Sequence, residues 1–220
     1  MQDIYERIGT LRIVPVIAIE DLDAALPLAD ALAEGGLPAA EITFRTKAAA
    51  MVIERIAKQR PEVLVGAGTV LTEENLRHAA GCGAAFGVAP GFNPKIVSRA
   101  IEMKFPFSPG VLTPSEIEGA LSLGVRVLKF FPAGAGGGVN MLKSIAAPYF
   151  HMGVKFLPTG GVKQDNLRDY LEVKAVLAVG GTWLASREDI ASKRWSVITD
   201  NCRSAVALVK DFEAAVAAAH

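Results

Sequence analysis

The sequence predicts an α/β chain folded as a single (β/α)8 barrel, the TIM barrel architecture, over residues 1–220. Three observations carry this prediction. Short apolar runs alternate with amphipathic stretches along the whole chain, about eight such runs occur, and most are continuously apolar. A continuous apolar strand suits a parallel sheet covered on both faces. The rival architecture is a doubly wound open sheet, which usually carries a glycine-rich phosphate loop after its first strand. Here the first strand ends VPVIAIED, without glycine.

The elements follow in order. RIVPVIAI, from Arg12, is the first strand. Asp21 to Glu34 reads as a helix, with Leu22, Leu26, Ala29 and Ala33 at helical spacing and acidic residues in its first turn. Gly35 closes it. AAEITFR from Ala39 and VLVGAGTV from Val63 are strands two and three. A helix from Glu73 to Ala80 follows, capped by Thr72 and closed by Gly81 and Gly83. AAFGVAP from Ala84 leads to a helix from Pro94 to Met103 capped by Asn93. FPFSPGV from Phe105 leads to a helix from Pro114 to Leu123. There Thr113, Pro114 and Glu116 make a capping box, and Gly124 ends the turn. RVLKFFP from Arg126 is the sixth strand, and Gly134–Gly138 reads as one flexible βα loop. VKFLPTGGV from Val154 and AVLAVGGTW from Ala175 complete the strands. Trp195 to His220 reads as a long alanine-rich helix across the barrel exterior, with a short helix before it. No linker or second domain is visible.

Composition excludes several function classes. Lys and Arg number 23 against 23 Asp and Glu, so the chain lacks the basic excess of a nucleic-acid or membrane-surface binder. No apolar run approaches the roughly 18 residues of a membrane span. The N-terminus, MQDIYERIGT, is polar and mixed in charge, unlike a signal peptide. Cys82 and Cys202 fit neither a disulfide framework nor a zinc site, so reduced thiols in a cytoplasmic protein are expected. His78, His151 and His220 form no cluster, and no metal site is expected.

In a barrel of this kind the chemistry gathers at the C-terminal ends of the strands. Along Glu41-Ile42-Thr43-Phe44-Arg45, the two-residue period sets Glu41, Thr43 and Arg45 on one face, predicted to point into the barrel. An internal Glu41–Arg45 ion pair that merely fixes the strand is the structural alternative. Lys129 sits in mid-strand among apolar neighbours, where an unpartnered ammonium is expensive. Burial disfavours the charged form of an amine, and a neutral amine is what attacks a carbonyl to make a Schiff base. The alternative is a structural salt bridge to Glu41, which would still be poised for proton transfer.

Two glycine pairs mark the ends of the last strands, Gly160-Gly161 after Thr159 and Gly180-Gly181 before Thr182. Such pairs let backbone N–H groups approach an anion, and the loops after strands seven and eight are the common phosphate site of this fold. Neither pair is followed by lysine in Walker fashion, which points to a small phosphate ester rather than a nucleoside triphosphate. Thr69 ends a strand of small residues that leaves room for substrate. Pro90 either shapes the wall or is plain turn chemistry.

The combination EITFRT, GAGTVL, LKFFPA and PTGG, in this order and spacing, resembles the 2-keto-3-deoxy-6-phosphogluconate (KDPG) aldolases and the related 4-hydroxy-2-oxoglutarate (KHG) aldolases. The likeness runs from about Arg12 to Trp183. It implies a class I aldolase of the Entner–Doudoroff route, working as a homotrimer on a keto-acid phosphate, with no metal or cofactor beyond the covalent Schiff base. By position it makes Lys129 the Schiff-base lysine and Glu41 the general acid/base. It gives Arg45 and Thr69 the pyruvyl carboxylate, and Gly160, Gly161 and Thr182 the phosphate. Thr159, Pro90 and Phe131 would line the pocket. Two departures stand out: Thr182 replaces a frequent serine, and Gly134 stands where many relatives have a carboxylate. Three other readings remain open. They are a metal-dependent pyruvate aldolase with Glu41 as ligand, a phosphate-handling isomerase or epimerase, and a silent sugar-phosphate binder.

Overall fold

A computed structural model describes residues 2–218, so His220 lies outside the described residues. The strands are β1 (Ile13–Ile17), β2 (Ala39–Thr43), β3 (Leu64–Gly68), β4 (Gly87–Val88), β5 (Phe107–Ser108), β6 (Gly110–Val111), β7 (Val127–Phe130), β8 (Lys155–Pro158) and β9 (Val179–Gly181). Every ladder among them is parallel. They form a six-stranded sheet in the order β5-β4-β3-β2-β1-β9 and a three-stranded sheet in the order β6-β7-β8. Isolated parallel bridges, Phe156 to Val176 and Thr159 to Gly180, link the end of the second sheet to the first. Pro109 alone separates β5 from β6. It has no N–H to give a ladder, while its carbonyl accepts from the Lys129 N–H at 2.9 Å.

Parallel strands need crossovers, and these are helical. The helices are α1 (Gln2–Leu11), α2 (Ala25–Glu34), α3 (Ala49–Gln59), α4 (Glu73–Gly81), α5 (Pro94–Glu102), α6 (Pro114–Ser122), α7 (Gly138–Ala146), α8 (Leu167–Leu171), α9 (Arg187–Ala191) and α10 (Trp195–Ala218). The predicted caps are present. Thr72 accepts from Asn75 N at 3.0 Å, and Asn93 from Lys95 N at 3.1 Å. Glu116 accepts from Thr113 N at 2.8 Å to complete the box on α6. The first predicted helix begins as a 3-10 turn at Leu22–Ala24, with Asp21 capping Asp23 N, before α2 proper.

Helix α1 was not expected from the polar lead-in. Its apolar residues are few but fall on one face, and Ile8 is 1% exposed. Ile8 packs with Val14, Leu64, Phe86, Val88 and Leu157 in a small core. The main core holds Ile13, Ile17, Ile42 and Val65 with the helices, so the two clusters lie on opposite faces of the strands. Strands four and five are shorter than the apolar runs suggest, because Pro90 and Pro109 interrupt pairing.

Candidate active site

Lys129 reaches the site from β7 and Glu41 from β2. Lys129 lies opposite Gly110 on one side and Leu157 on the other, and Glu41 opposite Val16 and Gly66. The Lys129 Nζ donates to Glu41 Oε1 at 3.0 Å, with the two residues 5% and 4% exposed. Only glycine leaves space for that carboxylate at position 68, where a Cβ would strike Glu41 Oε1. The ammonium also lies 5.6 Å from the centre of the Phe131 ring. Between the pair and Thr159 is a cavity of about 10 Å³, walled by Phe86, Val88 and Leu157, with room for at most about one water. An amine and a carboxylate in hydrogen-bond contact and shielded from solvent can exchange a proton with each other and with a molecule brought to them.

Thr159 is buried, and its hydroxyl donates to Leu157 O at 3.3 Å. Gly180 makes room for that hydroxyl across the bridge. Gly160 and Gly161 follow with φ of 84° and 86°. Their loop is braced from β7: Ala133 N donates to Thr159 O at 2.8 Å and Gly134 N to Gly160 O at 2.7 Å. A side chain on Gly134 would come within 3.2 Å of Gly161 Cα, so glycine there allows the two loops to meet. The segment read as one flexible loop is therefore a turn packed on its neighbour, and Gly138 already belongs to α7. Beside it a groove of about 420 Å³ is lined by Gly161, Lys163, Asp165, Thr182 and Trp183.

The predicted alternation in strand two stops at Thr43, whose hydroxyl donates to Ile17 O at 3.0 Å. Phe44 and Arg45 lie in the turn beyond, and Arg45 is exposed. The alternative Glu41–Arg45 ion pair does not form, since Glu41 pairs with Lys129. Arg45 instead lines a cleft of about 130 Å³ shared with Thr43, Thr182 and Arg187. Thr69 has a left-handed backbone, φ 57°, at the end of β3, and Pro90 presses against Gly110, the neighbour of Lys129. No hydrogen bond among the described residues links Thr69 or Pro90 to the pair. Arg187 and Lys163 also line these clefts, and no sequence motif marks them. Their only signal was position, a few residues beyond the last two strands. Among the described residues no group of three or more His, Cys, Asp or Glu side chains is placed to hold a metal ion.

The chain is similar to known proteins along nearly its whole length. The family description "KDPG and KHG aldolase" matches residues 4–201. The 2-dehydro-3-deoxy-phosphogluconate aldolase of Haemophilus influenzae is 46% identical over 209 residues, covering 95% of this chain and 98% of its own. The Legionella pneumophila KDPG aldolase, solved with pyruvate captured as a covalent carbinolamine intermediate, is 38% identical. It superposes with a TM-score of 0.86 over 90% of this chain and 97% of its own. The Zymomonas mobilis 2-keto-3-deoxy-6-phosphogluconate aldolase, solved with 3-phosphoglycerate, gives 0.85 at 38% identity, over 94% of this chain and 96% of its own. With an amine–carboxylate pair joining two parallel strands and a likeness that spans nearly the whole chain, the protein belongs to the KDPG and KHG aldolase family.

Proposed function

We propose that the chain is a class I aldolase that cleaves 2-keto-3-deoxy-6-phosphogluconate to pyruvate and glyceraldehyde 3-phosphate, with 4-hydroxy-2-oxoglutarate as a second substrate. The observation that carries this reading is the buried 3.0 Å contact between Lys129 Nζ and Glu41 Oε1. The covalent pyruvate carbinolamine of the Legionella relative supports it, since such an adduct needs an amine nucleophile and no cofactor.

Lys129, having passed its proton on, attacks the C2 ketone. Glu41 shuttles protons, directly or through water, while the carbinolamine forms and loses water. The protonated imine then draws electrons as Glu41 takes the C4 hydroxyl proton and the C3–C4 bond breaks. Glyceraldehyde 3-phosphate leaves, Glu41 returns its proton to C3 of the enamine, and hydrolysis of the pyruvyl imine frees Lys129. Arg45 and Thr69 hold the pyruvyl carboxylate in this scheme, and Gly160, Gly161 and Thr182 hold the phosphate. Thr159, Pro90 and Phe131 bound the reacting centre.

The same reading makes the strands one (β/α)8 barrel over residues 1–220. Residues 107–111 would be one strand broken at Pro109, and the Thr159–Gly180 bridge would be the closing seam. It also makes the protein a cytoplasmic homotrimer acting on a small molecule; no helix among the described residues is long and apolar enough to cross a membrane. The test is borohydride reduction in the presence of pyruvate, followed by peptide mass spectrometry. A reduced pyruvyl adduct on Lys129 is expected, and the Lys129→Ala protein should give none. A folded protein that forms no adduct in excess pyruvate overturns the reading.

A further inference from the structure

The cleft of about 130 Å³ beyond β1, β2 and β9 is lined by two arginines, Arg45 and Arg187, and by no acidic residue. Neither arginine has a carboxylate within ion-pair distance among the described residues. The acids nearest in sequence to Arg187 are already engaged. Arg194 takes Glu188 at 2.8 Å through Nη2 and Asp189 at 2.8 Å through Nε. The other hydroxyls of the cleft are committed too: Thr43 donates to Ile17 O, and Ser186 serves as the cap of α9. What remains open is a pair of positive charges and the exposed Thr182. Thr182 also lines the neighbouring groove with Gly161, so the cleft continues from the proposed phosphate loops.

Arg45 and Arg187 line one small cleft without a carboxylate partner of their own, so each is free to take an anionic group of a ligand. Arg offers planar, bidentate donors that match a phosphoryl group better than an ammonium does. From this juxtaposition, and resting on the aldolase reading above, we infer that Arg187 is a specificity-determining residue. It engages the terminal phosphate of the substrate held at Thr182 and so favours phosphorylated over unphosphorylated aldehydes. Arg45, one strand away beside Thr43, faces the same cleft from the Glu41 side and keeps the carboxylate role.

The experiment runs the aldol addition of pyruvate to glyceraldehyde 3-phosphate and to glyceraldehyde, on wild type and on Arg187→Gln. A hydrogen bond to a charged group is worth about a 10- to 100-fold change in affinity. The variant's ratio of kcat/KM, phosphorylated over neutral aldehyde, should therefore fall about 10- to 100-fold, carried mainly by KM of the phosphorylated aldehyde. Arg187→Lys should recover part of it, since charge is kept and the fork is lost. An unchanged ratio overturns the inference, and so does a rise in the KM for pyruvate with equal losses on both aldehydes, which would assign Arg187 to the keto-acid carboxylate. Failure of the aldolase reading looks different: wild type itself would add pyruvate to neither aldehyde.

Discussion

Taking the Lys129 ammonium and the Glu41 carboxylate out of water together is expensive, and one hydrogen bond of 3.0 Å recovers only part of the cost. Apolar side chains of similar volume would pack there at no such penalty, and the aldolase proposal gives the pair a chemical reason to be kept. Replacing both partners, Lys129→Met with Glu41→Leu, should leave the protein as stable as wild type or up to about 4 kcal/mol more stable. Lys129→Met alone should cost about 3–5 kcal/mol, because Glu41 is left buried without its cation. Urea unfolding of the three proteins checks both statements, and a double variant weaker than the single one contradicts the argument. Glu41→Gln keeps the shape and an acceptor for Lys129 but cannot carry the proton. Its turnover should fall about 10²- to 10⁴-fold with the circular dichroism spectrum unchanged. Near-normal turnover would remove Glu41 from the acid–base role.

The helix α1 shows how one element outside the strand–helix rhythm serves the site. Ile8 closes the small core on the Lys129 side of the strands and helps wall the cavity that the pair shares with Thr159. Tyr5 anchors the same helix by a 3.1 Å contact with Ser108 of β5. Truncation at Ile8 should cost about 2–5 kcal/mol, the range for a large-to-small change in a packed interior. Thermal unfolding of Ile8→Ala measures it, and a loss under about 1 kcal/mol would mean that α1 is only loosely applied. The glycine-rich turn after β7 acts on the opposite end of the strands. Its backbone bonds to Thr159 and Gly160 hold the loop after β8 in place, a bracing role that composition alone read as flexibility.

Across the whole molecule, two buried weak acids tie stability to alkaline pH. Burial pushes the Tyr5 hydroxyl from 10.0 up to about 12, partly offset by its contact with Ser108. Burial under α2 pushes the Cys202 thiol from 9.0 up to about 12. The unfolded chain gives up these protons first, so between about pH 9 and 12 it binds fewer protons than the folded chain. Their contribution to stability is therefore fully present below about pH 9 and is lost as pH rises through that window. Tyr5→Phe should flatten the fall above pH 10, read from urea midpoints across the range; an unchanged slope would show that Tyr5 does not contribute.

Much of this protein is written locally. Thr72, Asn93 and Thr113 cap the helices they precede because a capping hydroxyl or amide needs only its own next turn. Lys129 and Glu41 stood out because each is a charge in a run otherwise built for burial. Their contact across 88 residues, however, depends on which strands lie opposite one another. Arg45 marks the limit of that local reading: alternation tells which face a residue takes while a strand lasts, and β2 ends at Thr43 opposite Gly68, so Arg45 stands in the turn beyond. Ile8 lacked a strong pattern of its own and became a core residue only because the strands left a face to cover. The sequence by itself determined the strand–helix alternation, the caps and the chemically odd residues, since those follow from neighbours along the chain. The tertiary structure alone decided the Lys129–Glu41 bond, the braced loops after β7 and β8 and the Arg45–Arg187 cleft, since each joins side chains or loops from different strands.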